Sequence, residues 1–206
     1  PFLSKVTHVP MVELATRIAL GETLKGMGYE GGLMPAKPHV AAKAPVFSFS
    51  KIGLAEIALG PEMKSTGEVM GIGKTYSEAL YKAVNGAKMK IPAGGTILVT
   101  VADRDKAEAL QLARGFQELG YHIIATSGTG KYFNEQGFPV DVVRKIHEGG
   151  TNIATLIRNG KIDLVVNTLT FGKHPERDGF NLRRMAVELA IPCLTSLDTA
   201  REVLRV

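Results

Sequence analysis

The sequence predicts an α/β architecture: an open five-stranded parallel sheet with helices on both faces, preceded by a mainly helical amino-terminal segment. Three observations predict it. From Thr96 onward, short β-branched apolar runs alternate with stretches of helical periodicity. The helical stretches open near Ser, Thr or Asp, and two of them stop at a glycine, so caps and stops agree with the periodicity. Finally, strand–helix–strand alternation requires crossover connections, and those join parallel strands.

Each element can be assigned in turn. Thr96 to Val101 is the first strand, and Asp103 caps a helix to about Leu119 that Gly120 ends. Tyr121 to Ala125 is the second strand, followed by the polar turn Thr126-Ser127-Gly128-Thr129 and a helix from Gly130 to Gln136. Val140 to Val143 is the third strand. Thr151 caps a helix to about Asn159, with Gly160 as its stop. Ile162 to Val166 is the fourth strand, Asp178 to Ala190 a helix, Pro192 to Leu194 a short fifth strand, and Ser196 caps a final helix. Upstream, Pro10 suits a first helical turn, and Val12, Ala15, Ile18 and Ala19 follow at helical spacing. Gly31 to Pro45 reads as a loop, and Val46, Phe47 and Phe49 as a short strand. Thr75 or Ser77 starts a helix through Tyr81 to about Ala87. Lys88 to Gly95, with Pro92 and Gly94-Gly95, reads as a linker, which places the domain boundary between residues 1–88 and 89–206.

The turn Thr126 to Thr129 carries the most information. A tight turn between a buried strand and a helix leaves backbone N–H groups aimed one way, at the positive end of the helix dipole. Two hydroxyls and a glycine let a phosphate approach; a plain Thr/Gly helix cap is the alternative. The neighbouring loops decide between them. Open parallel sheets bind ligands beyond the carboxyl ends of their strands. That edge collects Thr100, Asp103 and Lys106 after strand one, and Arg144, Lys145 and His147 after strand three. Asn167, Thr168 and Thr170 follow strand four. Lys106 opposes its own helix dipole, an objection that a bound anion removes. This convergence points to a phosphate-bearing ligand.

Composition limits the function classes. Of 206 residues 45% are hydrophobic, enough for a packed core in one large or two small domains. Lys plus Arg number 25 against 20 Asp plus Glu, a modest excess that favours anionic ligands. Basic runs with interleaved aromatics are missing, so a nucleic-acid partner is not expected. The single Cys193 forbids an internal disulfide and sits in an apolar strand, where it reads as core. No metal-ligand cluster, signal peptide or membrane-spanning run is legible, and a cytoplasmic location is expected.

The second part of the chain carries the strings Leu98-Val99-Thr100-Val101, Ala125-Thr126-Ser127-Gly128-Thr129, Val143-Arg144-Lys145-Ile146-His147-Glu148-Gly149 and Val166-Asn167-Thr168. By these strings residues 89–206 resemble the methylglyoxal-synthase-like domain, a Rossmann/flavodoxin-type fold. The first part carries Pro1 to Thr7, Lys43 to Phe49, and the long string Leu59-Gly60-Pro61-Glu62-Met63-Lys64-Ser65-Thr66-Gly67-Glu68-Val69-Met70-Gly71. By these, residues 1–88 resemble the end of the second ATP-grasp synthetic domain in the carbamoyl phosphate synthase large-subunit family.

The resemblance implies a carboxyl-terminal regulatory part of a glutamine-hydrolysing, ATP- and Mg- (or Mn-) dependent ligase serving pyrimidine and arginine biosynthesis. Its partners are the rest of the large subunit and a glutaminase small subunit. In the family the acidic-x-Asn-x-Arg motif of ATP-grasp precedes Pro1, so this segment by itself should make no carbamoyl phosphate and needs no cofactor. By the same resemblance Lys106, Thr126, Thr129 and Lys145 contact an effector phosphate. Thr100 and Asn167 lie near ribose and base, with Thr168 and Thr170 beside them. UMP is the expected inhibitor, with IMP or phosphoribosyl pyrophosphate as the other effectors. Lys106 and Thr129 are expected on the surface rim. Glu68 and Val69 match an ornithine-contacting turn, but Cys193-Leu194-Thr195 departs from the Tyr-Asp-Thr of ornithine-responsive members. Lys5 and Thr7 match the synthetic site's wall. Ile18, Phe47 and Phe49 are expected to expose apolar surface, giving either a homo-oligomer through this region or loose order in it.

Two rivals share the fold. A methylglyoxal synthase needs a carboxylate base over the phosphate. Its Gly-Gly-Asp motif is absent here, leaving Asp103, Asp178 and Asp198, whose alternative role is helix capping and dipole pairing. A purine-pathway cyclohydrolase carries Lys-Thr-Leu-His-Pro, echoed only by Gly172-Lys173-His174-Pro175. The string from Leu59 to Gly71 argues against both.

Overall fold

The computed structural model describes residues 2–48, 62–148, 152–169 and 178–206. The chain divides into two compact units, Pro1–Pro45 with Glu68–Ala87, and Val46–Gly67 with Lys88–Val206.

The second unit is built on five strands: β3 (Thr96–Thr100), β4 (His122–Thr126), β5 (Asp141–Val143), β6 (Leu164–Asn167) and β7 (Cys193–Leu194). They pair in the order β5-β4-β3-β6-β7, all parallel. The connecting helices are α4 (Lys106–Glu118), α5 (Ser127–Glu135), α6 (Ile153–Arg158) and α7 (Asp178–Glu188), and α8 (Leu197–Leu204) closes the chain. Alternation along the strands explains the two layers. Ile97, Val99, Ile123, Ala125, Leu164 and Val166 pack with α4, α5 and α8. Leu98, Ile124 and Val165, one residue out of phase, pack with α6 and α7. Strand order reverses at the β3–β6 pair, where Thr100 stands opposite Asn167.

Several boundaries differ from the sequence reading. Helix α5 begins at Ser127, not Gly130. Asp103 does not cap α4; a 3-10 turn over Asp103–Asp105 leads into it. The cap of α6 is Asn152, whose side chain accepts the Thr155 N–H at 3.2 Å. The expected cap, Thr151, lies outside the described residues. Ser196 holds the N-cap position of α8 but accepts no cap bond. Gly120 and Gly160 do end their helices with positive φ, 90° and 62°. The expected linker is part of the sheet domain's packing, for Met89 and Ile91 lie against its larger apolar cluster.

The first unit holds α1 (Phe2–Thr7), α2 (Met11–Ala19), β1 (Val40–Val46), β2 (Gly67–Gly73) and α3 (Tyr76–Gly86). Strand β1 occupies the end of the expected loop, and the expected strand residue Phe49 lies outside the described residues. Pairing of β1 with β2 overrides the low strand propensity of its alanines and Pro45. Thr75 caps α3 by accepting the Glu78 N–H, and the Glu78 carboxylate accepts the Lys74 N–H in return. The core here is small: Ala42, Ala79 and Ala83, with Val40, Ala44 and Leu80 around them. Ile18 is 43% exposed, and Val12 and Leu20 are more so; Phe47, which belongs to the second unit, is half-buried.

Among the described residues no helix is long and apolar enough to cross a membrane. Among them, too, no three His, Cys, Asp or Glu side chains cluster so as to hold a metal.

Candidate functional site

The carboxyl edge of the sheet gathers the loops after β3, β4, β5 and β6. Parallel strands all end on that edge, so four separated segments meet there whatever their distance in sequence.

The threonines and the asparagine form the inner layer, and their hydroxyls hold the loops together. Thr126 Oγ1 donates to Thr100 Oγ1 at 3.0 Å. Thr129 Oγ1 accepts the Val101 N–H at 3.3 Å, and Thr168 Oγ1 accepts the Ala102 N–H at 2.9 Å. Asn167 Nδ2 donates to the Thr100 carbonyl at 3.0 Å. Thr126, Thr129, Asn167 and Thr168 are all buried. The surface-rim position expected for Thr129 is therefore incorrect. Its side chain faces into the fold because the backbone leaving β3 has an N–H that no strand partner takes up, and a buried donor needs an acceptor. The consequence is measurable. Thr129→Val keeps the shape but strands that N–H. It should lower unfolding free energy by about 1–3 kcal/mol in a urea titration; an unchanged midpoint would show that the N–H finds another acceptor.

The outer layer is charged. Lys106 opens α4, and its Nζ lies 3.7 Å from where a side chain on Gly128 would begin, in the first turn of α5. That turn has no side-chain cap, so its N–H groups face the edge. Lys106 Nζ also pairs with Asp103 Oδ1 at 2.7 Å. This ion pair meets the dipole objection to Lys106 without a ligand. It is nevertheless weak, since the Asp103 side chain is 94% exposed, and a phosphate can displace it. Asp103 is held below the usual carboxylate range, first by the hydrogen bond from Lys106, then by that cation's charge and by the charge of Lys145. Lys145 follows β5 on a third loop of the same edge. Its own backbone N–H donates to Glu148 Oε2 at 2.8 Å, and Ser127 Oγ donates to the same oxygen at 3.2 Å. Glu148 ties the loop after β5 to the start of α5.

The other candidates fall elsewhere. Thr170 lies outside the described residues. Glu68 and Val69 sit in strand β2 of the first unit, not in a turn, because β2 pairs with β1; Glu68 forms an ion pair with Lys43. An open groove of about 650 Å³ in that unit runs between α1, α2 and Glu68 and is lined mainly by apolar groups such as Phe2, Met11 and Val12. It holds none of the phosphate-suited chemistry of the sheet edge. Asp198 pairs with Arg201 on α8 at 2.9 Å, and Asp178 opens α7. Burial pushes the Cys193 thiol up to about 12, so it stays protonated at neutral pH and is no nucleophile.

Three residues escaped the sequence reading. Arg183 on α7 is buried and donates from Nη1 to Asn167 Oδ1 at 2.8 Å. Arg104 donates to the Leu169 carbonyl at 3.0 Å, and Glu148 is described above. Arg183 carried a signal: it lies between the core positions Leu182 and Ala186 and four residues after a glycine, which makes room for it.

Residues 108–195 match the family model of the MGS-like domain. Among solved structures, a methylglyoxal synthase from Elizabethkingia anophelis NUHP1 is similar over 56% of this chain and 80% of its own, at 21% identity and a TM-score of 0.45. The structure of ForH is similar over 54% of this chain and 78% of its own, at 20% identity and a TM-score of 0.39. The α/β unit with its five parallel strands carries, at residues 108–195, an MGS-like domain.

Proposed function

We propose that the sheet edge binds a phosphate-bearing effector, UMP in the first place, and that the chain is the carboxyl-terminal regulatory part of a carbamoyl phosphate synthase large subunit. One observation carries the binding reading. The Lys106 ammonium stands against the uncapped first turn of α5, and the loop that carries Lys145 is tied to that same turn through Glu148. Two cations and a helix amino terminus converging from three segments form a ready site for a dianion. The parent assignment is supported by the sequence strings at residues 1–7, 43–49 and 59–71. On this reading the chain is not catalytic by itself. ATP and its Mg or Mn belong to the parent's synthetic domains, and the partners are those domains and the glutaminase subunit. IMP and phosphoribosyl pyrophosphate are the competing effectors, and the exposed apolar face of α2 supports a homo-oligomer.

A second reading, a methylglyoxal synthase-type phosphate lyase, is favoured by one feature. Asp103 is an ionised carboxylate beside the phosphate-suited lysine. One variant separates the two. Asp103→Asn frees Lys106, so UMP affinity by calorimetry should rise by roughly 2- to 5-fold if the displaced ion pair is a weak surface one. Dihydroxyacetone phosphate should yield no methylglyoxal with either chain. Methylglyoxal formed by the unaltered chain and lost in Asp103→Asn would decide for the lyase. A thermal-shift panel of UMP, IMP and phosphoribosyl pyrophosphate identifies the effector.

A further inference from the structure

Asn167 sits where the strand order reverses, opposite Thr100, and its side-chain amide is held from both ends. Its Nδ2 donates to the Thr100 carbonyl at 3.0 Å, and its Oδ1 accepts from Arg183 Nη1 at 2.8 Å. The two partners are not interchangeable. A guanidinium can only donate and a carbonyl can only accept. Turning the amide over would set NH2 against a donor and oxygen against an acceptor, losing two hydrogen bonds and opposing like dipoles in a buried place. Asn167 and Arg183 are only 4% and 7% exposed, so water does not relieve that mismatch. Helix α7 closes over the pair at Gly179. A Cβ there would lie 3.3 Å from Arg183 Nη1 and 3.6 Å from both amide atoms of Asn167.

We infer that Arg183 is a positioning residue for the effector site: by fixing the orientation of the Asn167 amide at the β3–β6 switch point, it sets which part of a sugar phosphate the site recognises. The inference rests on the effector reading of this edge. With Oδ1 taken by Arg183 and one Nδ2 proton by the Thr100 carbonyl, the second Nδ2 proton is what the amide has left to offer a ligand. The site then selects a ligand with an oxygen acceptor, such as a ribose hydroxyl, at a distance from its phosphate. Lys106, Lys145 and the first turn of α5 hold the phosphate by contacts that do not involve Arg183. Discrimination between a nucleoside monophosphate and phosphate alone therefore runs through the Asn167–Arg183 pair.

Calorimetric titration with UMP and with inorganic phosphate tests this in four chains: unaltered, Arg183→Met, Asn167→Ala, and the double variant. Arg183→Met should weaken UMP by roughly 3- to 10-fold, the range of one neutral hydrogen bond, and leave phosphate affinity unchanged. The double variant should bind UMP no worse than Asn167→Ala, because the arginine acts through the asparagine. Arg183→Lys, which keeps the charge and can only donate, should recover part of the UMP affinity; Arg183→Gln, whose amide can donate or accept and so no longer fixes Asn167, stands in for Arg183→Met if that chain does not fold. Equal losses for UMP and phosphate would overturn the inference, as would additive losses in the double variant. If the unaltered chain binds phosphate and UMP equally, the phosphate reading of the edge survives and the role given to Arg183 falls. If it binds neither, both fall together.

Discussion

The chain carrying both Lys106→Ala and Lys145→Ala is expected to keep its fold and lose measurable UMP binding. Each lysine brings a charge-assisted contact to the phosphate, worth about 1.5–3 kcal/mol, or roughly 10- to 150-fold in affinity. They come from separate loops, one at the start of α4 and one after β5, so neither can take over the other's geometry. Removing both weakens a micromolar ligand by on the order of 100-fold or more, to about 0.1 mM or beyond. Stability should change little. Lys106 gives up an ion pair to a carboxylate that is 94% exposed, and such pairs contribute at most about 1 kcal/mol. The backbone N–H groups of α5 and the buried threonine network stay in place. The loss in the single Lys106→Ala chain should shrink as salt rises, because screening weakens the interaction that was removed. Unaltered UMP affinity in the double variant would place the phosphate elsewhere, and the turn from Thr126 to Thr129 would then be a helix cap alone.

The strand–helix order and the edge where the loops meet were legible because periodicity and β-branched runs report burial directly. What the sequence hid were choices made by tertiary packing. Ser127-Gly128-Thr129-Gly130 has poor helix propensity, yet α5 starts there. Gly130 lies so close to β5 that a Cβ would come within 2.8 Å of Val142 Cγ2. Strand β1 was masked by alanines and a proline that only a pairing partner makes extended. The threonines were recognised as members of the edge, but their inward turn depends on the backbone N–H groups of Val101 and Ala102, which a sequence does not display. Arg183 was missed for a related reason. An arginine within a helix reads as a solvated side chain, and only the amide of Asn167, sixteen positions away, gives it a buried partner.

Gly71→Ala is expected to unfold the first unit while leaving UMP binding intact. In an ordinary strand, exchanging glycine for alanine is favourable by about 0.5–1 kcal/mol, because the unfolded chain loses freedom. Here the sign reverses. A Cβ on Gly71 would lie 1.9 Å from the Ala79 carbonyl oxygen and 2.6 Å from the Ala83 nitrogen, both in the backbone of α3. No rotamer change relieves a backbone clash, so helix and strand must separate. The core they share is three alanines with few neighbours and has little packing to redistribute. A loss of about 3 kcal/mol or more follows, the upper end of overpacking costs. The sheet domain has two apolar clusters of its own, and every residue of the candidate site lies in it. Hydrogen exchange should therefore show α3 and β2 unprotected and β3, β4 and β6 unchanged, with UMP affinity as in the unaltered chain. Protection of α3 equal to that of the unaltered chain would mean the helix does not rest on Gly71. A parallel loss of UMP binding would mean the effector site depends on the first unit.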